Sequence, residues 1–371
     1  MKQLHEYGYG NREQTESFIN REVQETCDYI DTLIDTQDGV IVPEFLFNVA
    51  NVNVVWGLAS GTRFNHKDPK MLKLMDCVMD LIRYSELAGG IQSAYPFMLD
   101  WCPGLLQFPK VQEVNRKFQA FFREIIQEYR QAGAFRFSPK NFIEIFLQRI
   151  DIANKDNPGI FTDENLIAVL YDFLAGSILT TAETLIYAVL QFALHPEMQE
   201  RMRNEIDTVF GKSRLSSVSE KQRTPFCTAF ILEVLRLSTV VPLAPRKVYK
   251  DTSFGDYIIP KDTNLLINYY SIHMDKEFWG DPENFRPDRF LNEESSIINS
   301  DHIMSFSAGK RSCFGEPIAQ ANIYLFLTQL LQRFTFRRDA DNTPPSAEFK
   351  PGLIVRLQPF SLLVKRRDYN K

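Results

Sequence analysis

The segment Phe306-Ser-Ala-Gly309-Lys-Arg311-Ser-Cys313-Phe-Gly315-Glu-Pro-Ile-Ala319 concentrates the chemistry of this 371-residue chain. It puts a cysteine on a tight, glycine-containing loop that runs into a helix. A thiolate there is stabilised by the helix N-terminus and by backbone N–H groups aimed at the sulfur. Gly309 and Gly315 let the backbone turn closely around it. Arg311 carries a cation suited to a carboxylate, and Phe306 can pack beside the sulfur and keep water away. A lone cysteine is more often a small buried hydrophobe than a ligand. The joint spacing F-x-x-G-x-R-x-C-x-G argues against that here.

Other constellations lie upstream. Glu233-Val-Leu-Arg236 sets a carboxylate and a guanidinium at i, i+3 on one helix face, where they can pair. Phe285-Arg-Pro-Asp-Arg289-Phe290 follows in an irregular stretch. Ala175-Gly176-Ser177-Ile178-Leu179-Thr180-Thr181 combines small residues with hydroxyls, each of which can also bond back to its own helix.

The elements that must position these groups read mainly as helix. Apolar periodicity predicts helices over Glu13–Ile34, Val42–Ser60, Lys70–Tyr84 and Val111–Gln131. Pro43 suits a first turn. A helix of roughly thirty residues, far longer than usual, is predicted from a Thr162 cap to Leu194, ending before His195-Pro196. Further helices are predicted over Glu197–Phe210, Pro225–Leu237 and Ala319–Phe334. Short strands are expected at Tyr257–Ile259 and Asn264–Tyr269, and a strand-like tail at Leu353–Lys365. The fold class is mainly α with a small β portion towards the C-terminus, in one domain without a linker.

Composition narrows the class. A net charge of −5 and the lack of a basic tract argue against nucleic-acid binding. Five widely spaced cysteines (27, 77, 102, 227 and 313) argue against a disulfide framework or structural zinc. Four of them are expected to be buried hydrophobes. The polar start reads as neither signal peptide nor anchor, and the apolar stretch Leu166–Leu194, interrupted by Asp172 and Glu183, suits a buried helix. The apolar, Pro-rich connector Ala94–Pro109 either packs under helices or makes peripheral contact with a membrane.

The Cys313 loop resembles the haem-ligating loop of the cytochrome P450 superfamily, and the other motifs agree with that family in kind and order. The resemblance runs along nearly the whole chain, most strongly over Asp172–Val364, in the style of the microsomal group. It implies haem b ligated through iron by Cys313, with Arg311 and Arg246 as propionate partners and Phe306, Gly309 and Gly315 shaping the loop. Glu233, Arg236 and Arg289 are implied to form a buried structural triad supporting that loop. Thr180 is implied to help deliver protons to dioxygen, and Ala175, Gly176, Leu179, Leu243, Ala244, Leu353 and Ile354 to line the substrate pocket. The family's acid before that threonine is replaced by Leu179 or Ile178, with either an inserted residue absorbed by a helix bulge or Ser177 in the glycine position.

The activity implied is a monooxygenase reaction on an apolar steroid, fatty acid or xenobiotic. Electrons would come from NADPH through a flavoprotein reductase docking near Lys310, at the cytosolic face of the endoplasmic reticulum membrane. A haem-binding or regulatory remnant without turnover is the alternative. Leu4-His-Glu-Tyr-Gly-Tyr-Gly resembles the end of the third helix of a full family member, so the anchor, hinge and first elements are expected to lie outside this chain.

Overall fold

The computed structural model describes residues 12–65, 68–88, 108–153, 159–212, 214–339, 348–350 and 354–368, with Trp101 and Gly104. Helices dominate. In chain order the long ones are α1 (Arg12–Thr36), α2 (Pro43–Ser60), α3 (Pro69–Ala88), α4 (Phe108–Ala132), α5 (Phe142–Ala153), α6 (Asp163–Leu194), α7 (Pro196–Phe210), α8 (Pro225–Ser238) and α9 (Glu316–Arg333). The strands are β1 (Val40–Ile41), β2 (Leu243–Lys247), β3 (Thr252–Phe254), β4 (Tyr257–Ile259), β5 (Asn264–Asn268), β6 (Phe334–Arg338), β7 (Phe349–Lys350), β8 (Arg356–Leu357) and β9 (Leu362–Arg366). Residues 1–11 of the polar start, which include the segment 4–10 singled out above, the connector over 94–107 save Trp101 and Gly104, and Leu353 lie outside the described residues.

Helix ends follow local chemistry. Proline opens α2, α7 and α8, where its missing N–H costs no bond. Thr162 caps α6 by accepting from the Asn165 N–H, and Asp163 and Glu164 occupy its electropositive first turn. Helix α6 stops at His195, ahead of Pro196. Its 32 residues span about 48 Å.

Two hydrophobic cores share α6. One gathers α1, α2, α7, α8, α9 and the C-terminal half of α6, where Leu185, Leu190 and Phe192 are fully buried. The other joins α2, α3, α4 and α5 to its N-terminal half through Leu166, Leu170 and Leu174. Among the described residues α6 is the one helix long and apolar enough to cross a bilayer, and it is largely buried in these cores.

The β portion is not confined to the C-terminal region: β1 pairs antiparallel with β9, which pairs with β6. Gly39 makes that junction possible. At φ +77° a side-chain carbon there would lie 2.2 Å from the Val364 carbonyl oxygen, whose own N–H donates back to Gly39 O at 2.8 Å. The expected single tail strand is broken into β8 and β9 around Pro359, which has no N–H to donate. Tyr269 leaves β5 to begin a short helix, because the Asn268 side chain accepts from Ser271 N–H and caps it. Helix α5, with buried Ile143 and Leu147, went unassigned in the sequence pattern.

Candidate active site

The cysteine loop is built by backbone bonds. Ser307 and Gly309 take left-handed conformations, φ +63° and +71°, so only the second is free of a side-chain penalty. Cys313 N–H donates to Phe306 O at 2.8 Å and Ser312 N–H to Gly309 O at 3.1 Å, closing the turn ahead of α9. Side chains fasten it from outside: Ser305 Oγ donates to Leu235 O at 3.0 Å, and Tyr269 Oη to Ser307 Oγ at 2.7 Å. Gly315 has an ordinary helical φ, contrary to the conformational reason expected for it. Its significance is proximity, since an added side-chain carbon would sit 3.7 Å from Cys313 Sγ.

Cys27, Cys77 and Cys227 are buried, Cys313 is exposed, and Cys102 lies outside the described residues. In the protein alone, burial pushes the Cys313 thiol up, opposed by the backbone N–H groups of Gly315 and Glu316. Burial thus works against the helix-end stabilisation expected for a thiolate at this position.

Cys313 opens onto a cavity of about 490 Å³. Helix α6 contributes Ala175, Gly176 and Thr180, the loop Phe306, Arg311 and Gly315, and β2 Leu243, Ala244 and Arg246, with Ile354 from the tail. Gly309 is not among the lining residues. Leu179 is a correction: it is buried in the second core and does not line the cavity. Helix α6 runs through this region without a bulge, so Gly176 and Thr180 share a face four residues apart, while Ile178 and Leu179 turn inward. Of the nearby carboxylates Asp172 lines the cavity, whereas Glu183 faces a separate small void with Glu44 and Leu357.

Hydroxyls on this face spend their protons on the helix itself. Ser177 Oγ donates to Phe173 O at 2.6 Å, Thr180 to Gly176 O at 2.7 Å and Thr184 to Thr180 O at 2.8 Å. Each oxygen keeps its lone pairs. The sequence reading missed Asn51, Asn322, Thr184 and Ser238 in the lining, because isolated polar residues in apolar helices carry no spacing signal.

Behind the loop lies a charge cluster. Glu233 and Arg236 are fully buried and meet as a fork, Nε to Oε2 at 2.7 Å and Nη2 to Oε1 at 2.8 Å. Arg289 Nε donates to the same Oε1 at 3.1 Å, as does the Arg286 N–H at 2.8 Å. The surplus positive charge is met by carbonyls and a second carboxylate: His273 O takes Arg236 Nη1, Trp279 O and Asp281 O take Arg289, and Asp281 Oδ1 lies 3.3 Å from Arg289 Nη2. Every guanidinium edge thus has partners, which makes the burial tolerable.

The donor set fits the haem that the loop implies. A thiol faces the cavity beside two guanidiniums, Arg246 and Arg311, neither of which meets a carboxylate among the described residues. Sulfur to bind iron and two cations to take two propionates are what that group requires. No cluster of histidine, cysteine and acidic residues suited to a separate metal ion occurs among the described residues.

Comparison with known proteins agrees. The family model for cytochrome P450 matches residues 1–364. Farnesoate epoxidase of Bombyx mori is 31% identical over 99% of this chain and 73% of its own length. Cytochrome P450 2D10 of Rattus norvegicus is 32% identical over 98% and 71%, and cytochrome P450 2D15 of Canis lupus familiaris 34% over 88% and 65%. With the thiol loop, the buried charge cluster and near-complete coverage in agreement, the chain belongs to the cytochrome P450 family of monooxygenases.

Proposed function

We propose that this chain, loaded with haem b, inserts one oxygen atom from O2 into an apolar small molecule of steroid, fatty-acid or xenobiotic type. Electrons come from NADPH through a flavoprotein reductase. The observation carrying this reading is that Cys313 and the Gly176–Thr180 turn of α6 share one cavity walled mainly by apolar groups. Haem supplies the oxygen-activating chemistry when bound.

The chain's own residues do the rest. Cys313 would hold the iron through its sulfur, and Arg311 and Arg246, which line the same cavity, would take the propionates. Ala175, Leu243, Ala244 and Ile354 exclude water and admit apolar groups. Thr180 holds a proton at Oγ, shared with Gly176 O, and can release it towards the cavity when its lone pairs accept another. Glu233, Arg236 and Arg289 support the loop and take no part in the reaction. Lys310 is exposed on the loop, a cation available to an acidic reductase surface. The place of action is the cytosolic face of the endoplasmic reticulum membrane.

The test is turnover. With haem, NADPH and reductase, oxygenated product should form from a panel of apolar substrates and disappear in Cys313→Ser. Persistent absence of product at full haem loading would overturn the proposal.

A further inference from the structure

We infer that His273 is a positioning residue for the cysteine loop, and that it works only as the neutral tautomer protonated at Nδ1. The tautomer follows from the bonds around it. Thr239 ends α8 in a left-handed conformation, φ +33°, and its hydroxyl donates to Arg236 O at 2.5 Å. With its one proton spent, Thr239 Oγ1 can only accept from His273 Nδ1, 2.8 Å away. Nε2 then carries a lone pair, and it accepts the Met304 N–H at 2.9 Å. An imidazolium, or the other tautomer, would set two donors against each other at Met304.

These bonds join the charge cluster to the sulfur loop. Arg236 Nη1 donates to the His273 carbonyl at 2.8 Å, fixing the backbone of the same residue. Met304 precedes Phe306 by two residues, and the Phe306 carbonyl receives the Cys313 N–H. His273 is fully buried, and its ring lies outside the cavity lining. It touches no reacting atom; it sets where the loop begins. Burial, together with the Arg236 charge, holds the ring neutral.

Amide hydrogen exchange on the full chain, with and without haem, tests this, because glutamine and asparagine each replace one ring nitrogen. In His273→Gln an oxygen stands near Nε2 and keeps the Met304 bond, so exchange over residues 304–313 stays within about threefold of the parent. In His273→Asn only the Thr239 side is served; exchange there rises about tenfold or more while α6 is unchanged. The reduced CO-bound spectrum of the haem-loaded Asn variant also loses part of its thiolate-type Soret band. Equal exchange in the two variants, or a rise spread evenly over α6 and α9, overturns the inference. Should His273→Asn not accumulate folded, Thr239→Val decides. It leaves the ring but removes the tautomer control, and unchanged exchange at Met304 overturns the inference. Only the spectral arm rests on the proposed function, so the exchange result stands or falls separately from it.

Discussion

Glu233 is the carboxylate between two buried guanidiniums, and its removal should be among the costliest single changes in the chain. It accepts four hydrogen bonds, three of them at Oε1. In Glu233→Ala all four donors lose their acceptor, and fully buried Arg236 remains without an anion while Arg289 keeps only the longer contact with Asp281 Oδ1 at 3.3 Å. Breaking one side of such a pair costs about 3–5 kcal/mol, and alanine belongs at the upper end. Glu233→Gln is more informative. Its carbonyl can keep the three Oε1 contacts, leaving an NH2 opposite Arg236 Nε where two donors met at 2.7 Å cannot coexist. We expect about 3 kcal/mol for glutamine, from a lost charge and one opposed donor. Chemical denaturation followed by far-ultraviolet circular dichroism measures both variants. Glu283→Gln, which breaks the exposed pair with Lys276, is the control and should leave the midpoint unchanged. A Glu233→Gln loss below about 1 kcal/mol would refute the argument, because it would mean that backbone carbonyls and Asp281 suffice to neutralise the arginines.

Cys313→Ser should abolish the thiolate-type CO-bound Soret band with the circular dichroism spectrum unchanged, since the side chain is exposed and packs little core. Thr180→Val should lower product formation while leaving stability within about 0.5 kcal/mol, read by turnover beside thermal denaturation. Burial and Glu44 raise the Glu183 carboxyl to about 8, against Arg356 and the Leu357 N–H. Because that pKa exceeds the unfolded value, stability from Glu183 is full below pH 4.5 and lost as pH rises towards 8. Glu183→Gln should therefore stabilise by roughly 3–5 kcal/mol at pH 8 and little at pH 4.5, as denaturant midpoints at both pH values would show. His273 has the opposite sign. Its folded pKa lies at about 4 against 6.5, so its contribution, about 3 kcal/mol at most, is lost as pH falls through that window. His273→Gln should flatten this part of a stability–pH curve.

How far the sequence could be read depended on whether a signal was local. Spacing was enough for the ends of α6 and α8, because Thr162, Pro196 and Pro225 act on their own backbone. It was enough for the Cys313 loop, where the groups are nearly contiguous. It failed for Leu179, since a helix face is decided by what packs against it, and the second core claims that side. It failed for His273, a lone histidine whose partners lie 34 and 31 positions away in the chain. The same distance problem hid Glu22, buried on α1 and held by Arg63 at 2.7 Å and Asn53 at 3.1 Å. The tail misled differently: alternation continued through Pro359 although the hydrogen-bond ladder did not.

Helix α6 threads both hydrophobic cores, and this has a consequence for cooperativity. A cluster that owns its helices can open by itself; one that must release half of a continuous 32-residue helix cannot do so without unravelling its neighbour's wall. The two cores should therefore melt in a single transition, with amides near the middle of α6 exchanging only through global opening. The turn that faces the cavity sits at that midpoint, so the groups closest to the chemistry lie on the part of the chain slowest to come apart.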